Sequence, residues 1–144
     1  MVRRPLFLVS LIALVASPAW AEIGRIKSSI GVATVQRGAA HIPAASGQDL
    51  LPGDWLETGN DGRISLTFVD NTRFAVGPDS RIALTKFEYD PTSEKGSFVA
   101  QVERGSIAVV SGRISKSGRD GMQIRTPDSV LSVRDARVIV QVTK

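Results

Sequence analysis

The stretch from residue 53 to residue 84 constrains the fold of this chain more than any other part of the sequence. It reads GDWLETGNDGRISLTFVDNTRFAVGPDSRIAL, in which short runs of alternating apolar and polar residues are separated by turn residues at close intervals. Alternation with a period of two places every second side chain on one face of a β-strand. No part of the chain after residue 21 shows a helical period over more than two turns. We therefore predict an all-β fold, a single compact β-roll or sandwich of short antiparallel strands and tight turns, with little or no helix.

Turn residues and phase changes locate the predicted strands within this stretch. The strongest hairpin signal is Gly59-Asn60-Asp61-Gly62, because these residue types tolerate left-handed backbone geometry. The segment 63–69 then alternates, which predicts a strand with one wet face. The apolar residues of 82–89 change phase near Thr85 and Lys86, so either a β-bulge or a strand end falls there, and we favour the bulge.

The second half of the chain continues the same pattern of strands and turns. Arg104-Gly105-Ser106 is predicted to be a turn. The run 107–110 is continuously apolar, which is consistent with a strand buried on both faces. The last segments, 130–133 and 138–142, are rich in β-branched residues and predict two further strands.

The first 21 residues have the order of a secretory signal peptide. Arg3 and Arg4 precede an apolar block, and small residues before Ala21 supply a cleavage site. The apolar block is shorter than the roughly 18 residues that a spanning helix needs. We therefore expect a signal peptide at 1–21, a β domain at 22–144 without a spanning helix, and a periplasmic or secreted location after cleavage near Ala21. Cleavage removes two arginines and no acidic residue, so the formal charge falls from +4 to +2.

The composition argues against several kinds of chemistry. The chain has no Cys, so neither disulfides nor thiolate metal sites are possible. His41 is the single histidine, which is too few for an imidazole metal centre, and we expect no metal or other cofactor. Asp54, Asp61 and Asp70 fall at turn positions that aspartate prefers, so we do not expect catalysis from them. Lys and Arg alternate with acidic residues instead of clustering with aromatics, which argues against nucleic acid as a partner.

The turn glycines, turn aspartates and paired apolar positions between about residues 31 and 142 together resemble a known family. These residues are Gly47 and Leu50, Gly53-Asp54 with Leu56, Thr58-Gly59, Asp61-Gly62-Arg63, Leu66 with Phe68, Asp70-Asn71-Thr72, Phe74 with Val76, Pro78 and Ser80, Ile82 with Leu84, Gly105, Thr126-Pro127, and Val133-Arg134. In order and spacing they resemble the FecR domain, the periplasmic module of the ferric-citrate-type regulators. The resemblance departs at Asp135, since most sequences of that family have glycine after the corresponding Val-Arg pair.

The resemblance implies an exported, non-catalytic domain that binds a protein partner in the cell envelope, within signalling or transport regulation. The membrane-bound regulators of the family place a cytoplasmic anti-sigma segment and a spanning helix before the domain. Neither precedes it here, so we expect the domain to stand alone. The alternative is a structural or glycan-binding component of the envelope or cell surface.

The terminal strand is the candidate partner-binding element. Val138, Val140 and Val142 lie on a β-branched segment at the end of the sequence, where we expect an open sheet edge. Such an edge can accept a strand from another chain. Two weaker candidates are Trp55, which could stack on a sugar or a partner but is better explained as a core anchor, and the basic loop at 113–119, which is better explained as a solvated loop.

Overall fold

The computed structural model describes residues 21–143. The signal peptide predicted at 1–21 therefore lies outside the described residues, except for Ala21. Within the described range, no helix is long and apolar enough to cross a membrane.

The described chain is all-β, as predicted, and its one helical element is a short 3₁₀ turn at Ile114–Lys116. Twelve strands are found in residues 21–143. They are Gly24–Ile30 (β1), Ala33–Arg37 (β2), Ala40–Pro43 (β3), Asp49–Leu50 (β4), Trp55–Thr58 (β5), Arg63–Phe68 (β6), Arg73–Val76 (β7), Arg81–Asp90 (β8), Lys95–Val110 (β9), Met122–Arg125 (β10), Val130–Val133 (β11) and Arg137–Val142 (β12).

The strands form one curled sheet with two halves that meet at β9. Half-sheet 1 has the order β4-β1-β6-β7-β9-β12, and half-sheet 2 has the order β3-β2-β5-β8-β9-β10-β11. Neighbouring strands are antiparallel except for β10, which runs parallel to β9. Because β9 belongs to both halves, it fixes how the halves curl around the core.

Gly105 is the corner at which β9 passes from one half-sheet to the other. Residues 95–104 pair with β8, whereas residues 105–110 pair with β12 and residues 107–110 also with β7. Gly105 has a φ of 89°, and a Cβ at this position would overlap the backbone and side chain of Ser80. Glycine is therefore required both for the backbone conformation and for the close approach. The turn predicted at 104–106 is thus a bend inside one 16-residue strand, not a reversal of the chain.

A cluster of phenylalanines joins the two halves through the core. The ring of Phe68 lies 4.9 Å from Phe74 and 4.7 Å from Phe98, measured between ring centroids. Phe87 completes the cluster at 5.6 Å from Phe68. Phe68 and Phe74 belong to half-sheet 1, whereas Phe87 and Phe98 belong to the β8–β9 pair of half-sheet 2. Burying one such side chain stabilises the fold by about 1.5–3 kcal/mol, so this cluster accounts for much of the cohesion between the halves.

The structure bears out one local prediction and corrects another. The register between β8 and β9 shifts between Leu84 and Lys86, which confirms the bulge. Gly59–Gly62 does form a tight turn, with the Gly62 N–H donating to the Gly59 carbonyl at 3.0 Å. However, it is not a hairpin, because β5 pairs in half-sheet 2 and β6 in half-sheet 1.

Strands β5 and β6 do not pair because the Gly59–Gly62 turn between them binds the link between β1 and β2. The N–H of Gly59 donates to the Val32 carbonyl at 2.8 Å, and the N–H of Val32 donates to the Asp61 carboxylate at 3.1 Å. These bonds hold two chain crossings side by side, each passing from one half-sheet to the other. The turn chemistry was recognisable from the sequence, but the distant segment that it binds was not.

Candidate partner-binding site

The edge of half-sheet 1 is formed by β12. All six of its residues are in register with residues 105–110 of β9. On its other side, β12 has no neighbouring strand within residues 21–143. The expected position of the terminal strand at a sheet edge therefore agrees with the structure, while partner binding by Val138, Val140 and Val142 stays a prediction.

The hydrogen-bond pattern identifies which backbone groups face outward on this edge. The Ser111 N–H donates to the Ala136 carbonyl at 3.0 Å, so Ala136 points its backbone groups toward β9. In an antiparallel pair, alternate residues point their N–H and C=O groups to the same side. The backbone groups of Arg137, Ile139 and Gln141 therefore point away from β9, toward the open edge.

The valine side chains of β12 pack against the core, whereas the residues between them point their backbone groups to the open edge. Val138, Val140 and Val142 are half-buried and pack against the core. Ile139 lies on the opposite face and is 80% exposed. A strand added to this edge would therefore pair with the backbone of β12 and contact Ile139, rather than the valine side chains.

The outer face of half-sheet 1 carries a groove beside this edge. The strand registers align Ser28, Ser65, Ala75 and Ala108 in a row of small residues that crosses β1, β6, β7 and β9. Ile139 on β12 ends the row. Three residues of this row, Ser65, Ala75 and Ala108, line two adjoining concavities of about 530 and 310 Å³. Small side chains thus form the floor, and longer ones on either side of the row form the walls.

The walls of the groove are basic. Lys27, Arg73 and Arg137 line the larger concavity and Arg63 the smaller one, and neither is lined by an acidic residue. None of these four cations has a carboxylate partner within 4 Å among residues 21–143. We call this surface, from Lys27 and Arg63 across to Arg137, the basic groove. The prediction that residues 107–110 are buried on both faces of the strand is wrong. Ile107 and Val109 are buried, but Ala108 and Val110 face the groove.

The buried aspartates Asp54 and Asp70 make hydrogen bonds within the fold. Asp54 is 1% exposed and binds the Arg37 guanidinium through two hydrogen bonds of 2.9 and 2.8 Å. The hydrogen bond to Asp54 raises the pKa of Arg37 above its ordinary value, against the lowering effect of partial burial. Asp70 is fully buried and accepts hydrogen bonds from Thr72 and from the Ile114 N–H. Both carboxylates therefore stabilise turns.

The weaker candidates are occupied by contacts within the domain. Trp55 lies half-buried on the outer face of half-sheet 2, not in the core, and the guanidinium carbon of Arg81 lies 4.3 Å from its ring centroid. Arg81 in turn pairs with Glu57 and Glu103. These contacts cover one face of the indole ring and argue against sugar stacking on that face.

The basic loop is partly neutralised. Arg113 pairs with Glu94 at 3.3 Å, and Lys116 pairs with Asp135 at 3.6 Å. In the part of the chain that the structure describes, no three His, Cys, Asp or Glu side chains come together in a way that could hold a metal ion.

Sequence reasoning missed the basic groove because its residues come from five separate strands. The local signal was present, since Arg63, Ser65 and Thr67 alternate as the wet face of one strand. Only the register brings Arg73 and Arg137 to either side of the same residue, Val110. That alignment depends on the order of strands far apart in the chain, which alternation does not encode.

Comparison with known proteins places the chain in a family. Neither the curated proteins nor the solved structures gave a match to it. The family model described as FecR protein matches residues 54–144, which is more than half of the chain. The match begins in the turn before β5, so β1–β4 precede it. This family is regulatory, non-enzymatic and associated with the cell envelope. The chain therefore belongs to the FecR protein family.

Proposed function

We propose that this protein is an exported, non-catalytic FecR domain that binds a protein partner in the cell envelope, in signalling or transport regulation. The observation that carries the proposal is the open edge of β12. An edge strand with free N–H and C=O groups is a template for a strand supplied by another chain. Family membership supports the regulatory role, and the signal-peptide pattern of the first 21 residues supports export to the periplasm or beyond.

Ile139 is the position at which edge pairing can be tested without disturbing the core. Its side chain is exposed, and its N–H points away from β9. Ile139→Pro removes this N–H but breaks no hydrogen bond to β9, and proline is tolerated on edge strands. We expect Ile139→Pro to abolish partner capture, whereas Ile139→Thr, which keeps the N–H, retains it.

The measurement is photo-crosslinking from Gln141 in the native envelope, followed by identification of the captured proteins. Gln141 is exposed on the same strand and also points its backbone to the open edge. Thermal unfolding of both Ile139 variants is the control for folding, and we expect a cooperative transition in each. Capture of an envelope receptor or regulator that Ile139→Pro loses supports the proposal. Capture only of further copies of the chain, or of wall polymer, contradicts it and favours a structural component of the envelope.

A further inference from the structure

We propose that the basic groove binds an acidic, extended segment of a partner polypeptide. The inference rests on the proposed partner binding and names the chemistry of the partner at a surface other than the β12 backbone. Its first basis is charge. Four cations, Lys27, Arg63, Arg73 and Arg137, surround the groove without a carboxylate partner within residues 21–143. A cleft lined by charges of one sign attracts ligands of the opposite sign.

Several other cations of the domain are already paired with its own carboxylates. Arg25 lies on the same face, but it is hydrogen-bonded to Glu22 and Asp49. Arg37 and Arg81 likewise face carboxylates on half-sheet 2. The cations of the groove have no such partner among the described residues, so carboxylates from another chain would find guanidinium groups available for bidentate hydrogen bonding.

The shape of the groove favours an extended chain. Arg73 and Arg137 flank Val110 on neighbouring strands, so their Cα atoms lie about 10 Å apart, or two strand spacings. In a polyproline II segment, every third side chain projects from the same side at intervals of about 9 Å. Carboxylates on such a segment could therefore meet both arginines, while its backbone crosses the small-residue floor at Ala75 and Ala108.

The lining of the groove favours a polypeptide over a polysaccharide or a nucleic acid. Apart from the core residue Phe74, the side chains that line it are aliphatic, small or basic. Phe74 is 2% exposed and offers no ring face for stacking. Stacking on aromatic faces is the usual means of holding a base or a flat apolar group, and the groove lacks such a platform. Methyl groups of alanine and valine beside guanidinium groups suit short apolar and acidic side chains.

A short, labelled poly-glutamate peptide is the probe for this proposal. We expect the full domain to bind it with an affinity that falls as salt is added, because screening weakens exposed charge pairs. Arg73→Glu with Arg137→Glu should weaken binding by about tenfold or more, since each pair contributes modestly and reversal adds repulsion. The matched control is Arg104→Glu with Arg119→Glu, which changes the net charge equally at exposed sites outside the groove. It should weaken binding by less than about twofold.

Three outcomes would overturn the proposal: no binding of poly-glutamate, equal loss in the two double variants, or tighter binding of polygalacturonate than of poly-glutamate. The last outcome would make the groove a glycan site. The Gln141 crosslinking experiment separates this inference from the proposed function. A partner that the Arg73→Glu, Arg137→Glu variant captures as well as the wild type contradicts the groove inference alone. Failure to capture any envelope protein contradicts the proposed function, while poly-glutamate binding still reports on the groove.

Discussion

At the scale of single residues, Asp135 shows how a departure from the family pattern is accommodated. It occupies the position where the resemblance to the family leads one to expect glycine, and it has a φ of 44°. Aspartate tolerates this left-handed region better than most residues, and its N–H donates to the Ser115 hydroxyl at 3.3 Å. The turn before β12 is therefore formed in spite of a residue that carries some backbone strain.

Replacing Asp135 with glycine relieves this strain. We expect Asp135→Gly to raise the free energy of unfolding by about 0.5–1 kcal/mol, because the relief exceeds the entropy that glycine adds to the unfolded chain. Equilibrium denaturation measures the change. The exposed pair with Lys116 contributes little, so Lys116→Ala is the control and should change stability by less than about 0.5 kcal/mol. A loss of stability in Asp135→Gly would show that the carboxylate itself holds the turn.

Asp70 illustrates a buried carboxylate that holds a turn of the fold together. Its carboxylate accepts the N–H of Thr72 at 3.1 Å, the hydroxyl of Thr72 at 2.8 Å and the N–H of Ile114 at 3.1 Å. Asp70→Ala leaves these buried donors without acceptors, at a cost of about 1–3 kcal/mol for each group left unpaired. We expect a loss of at least about 3 kcal/mol in denaturant unfolding. Asp128→Ala, at an exposed position, should stay within about 0.5 kcal/mol of the wild type.

At the scale of elements, the bend in β9 is the feature on which the two halves depend. Gly105→Ala would introduce both left-handed strain, about 1–2 kcal/mol, and an overlap with Ser80, about 1–3 kcal/mol. We expect an overall loss of about 2–5 kcal/mol, measured by thermal or denaturant unfolding.

A second glycine separates the cost of left-handed backbone strain from the cost of the overlap with Ser80. Gly38 has a φ of 58°, and a Cβ there would meet no atom within 4 Å. Gly38→Ala therefore carries the backbone strain without the overlap, and it should cost only about 1–2 kcal/mol. Equal losses in the two variants would mean that the contact between Gly105 and Ser80 relaxes at no cost, contrary to the tight packing described above.

The sequence predicted the positions of individual strands better than it predicted how they pair. Alternation and turn residues correctly located strands such as β6 and the bulge in β8, because both depend on neighbours within a few residues. The pairing of β5 and β6 was predicted wrongly, because the Gly59–Gly62 turn is held by hydrogen bonds to Val32, a residue distant in the chain. The β-branched residues of 138–142 predicted a strand at the end of the sequence. That its valines face the core while Ile139 faces solvent became clear only from the structure.

At the scale of the whole molecule, the two candidate surfaces meet along one side of the structure. The open edge of β12 and the basic groove share Arg137 and Ile139. The edge could be anticipated from the sequence, whereas the groove required the order of five strands. A partner that uses both surfaces would pair its backbone with β12 and place acidic residues toward Arg73 and Arg63.

The double role of β9 also has a consequence for the order of events during folding. Until residues 95–110 are in place, β7 and β8 each lack a neighbour, and the phenylalanine cluster lacks Phe98. Contacts between segments distant in the chain form slowly, and unpaired strand edges are prone to association with other chains. We therefore expect the docking of β9 to set the interval during which the folding domain is vulnerable to aggregation and accessible to chaperones.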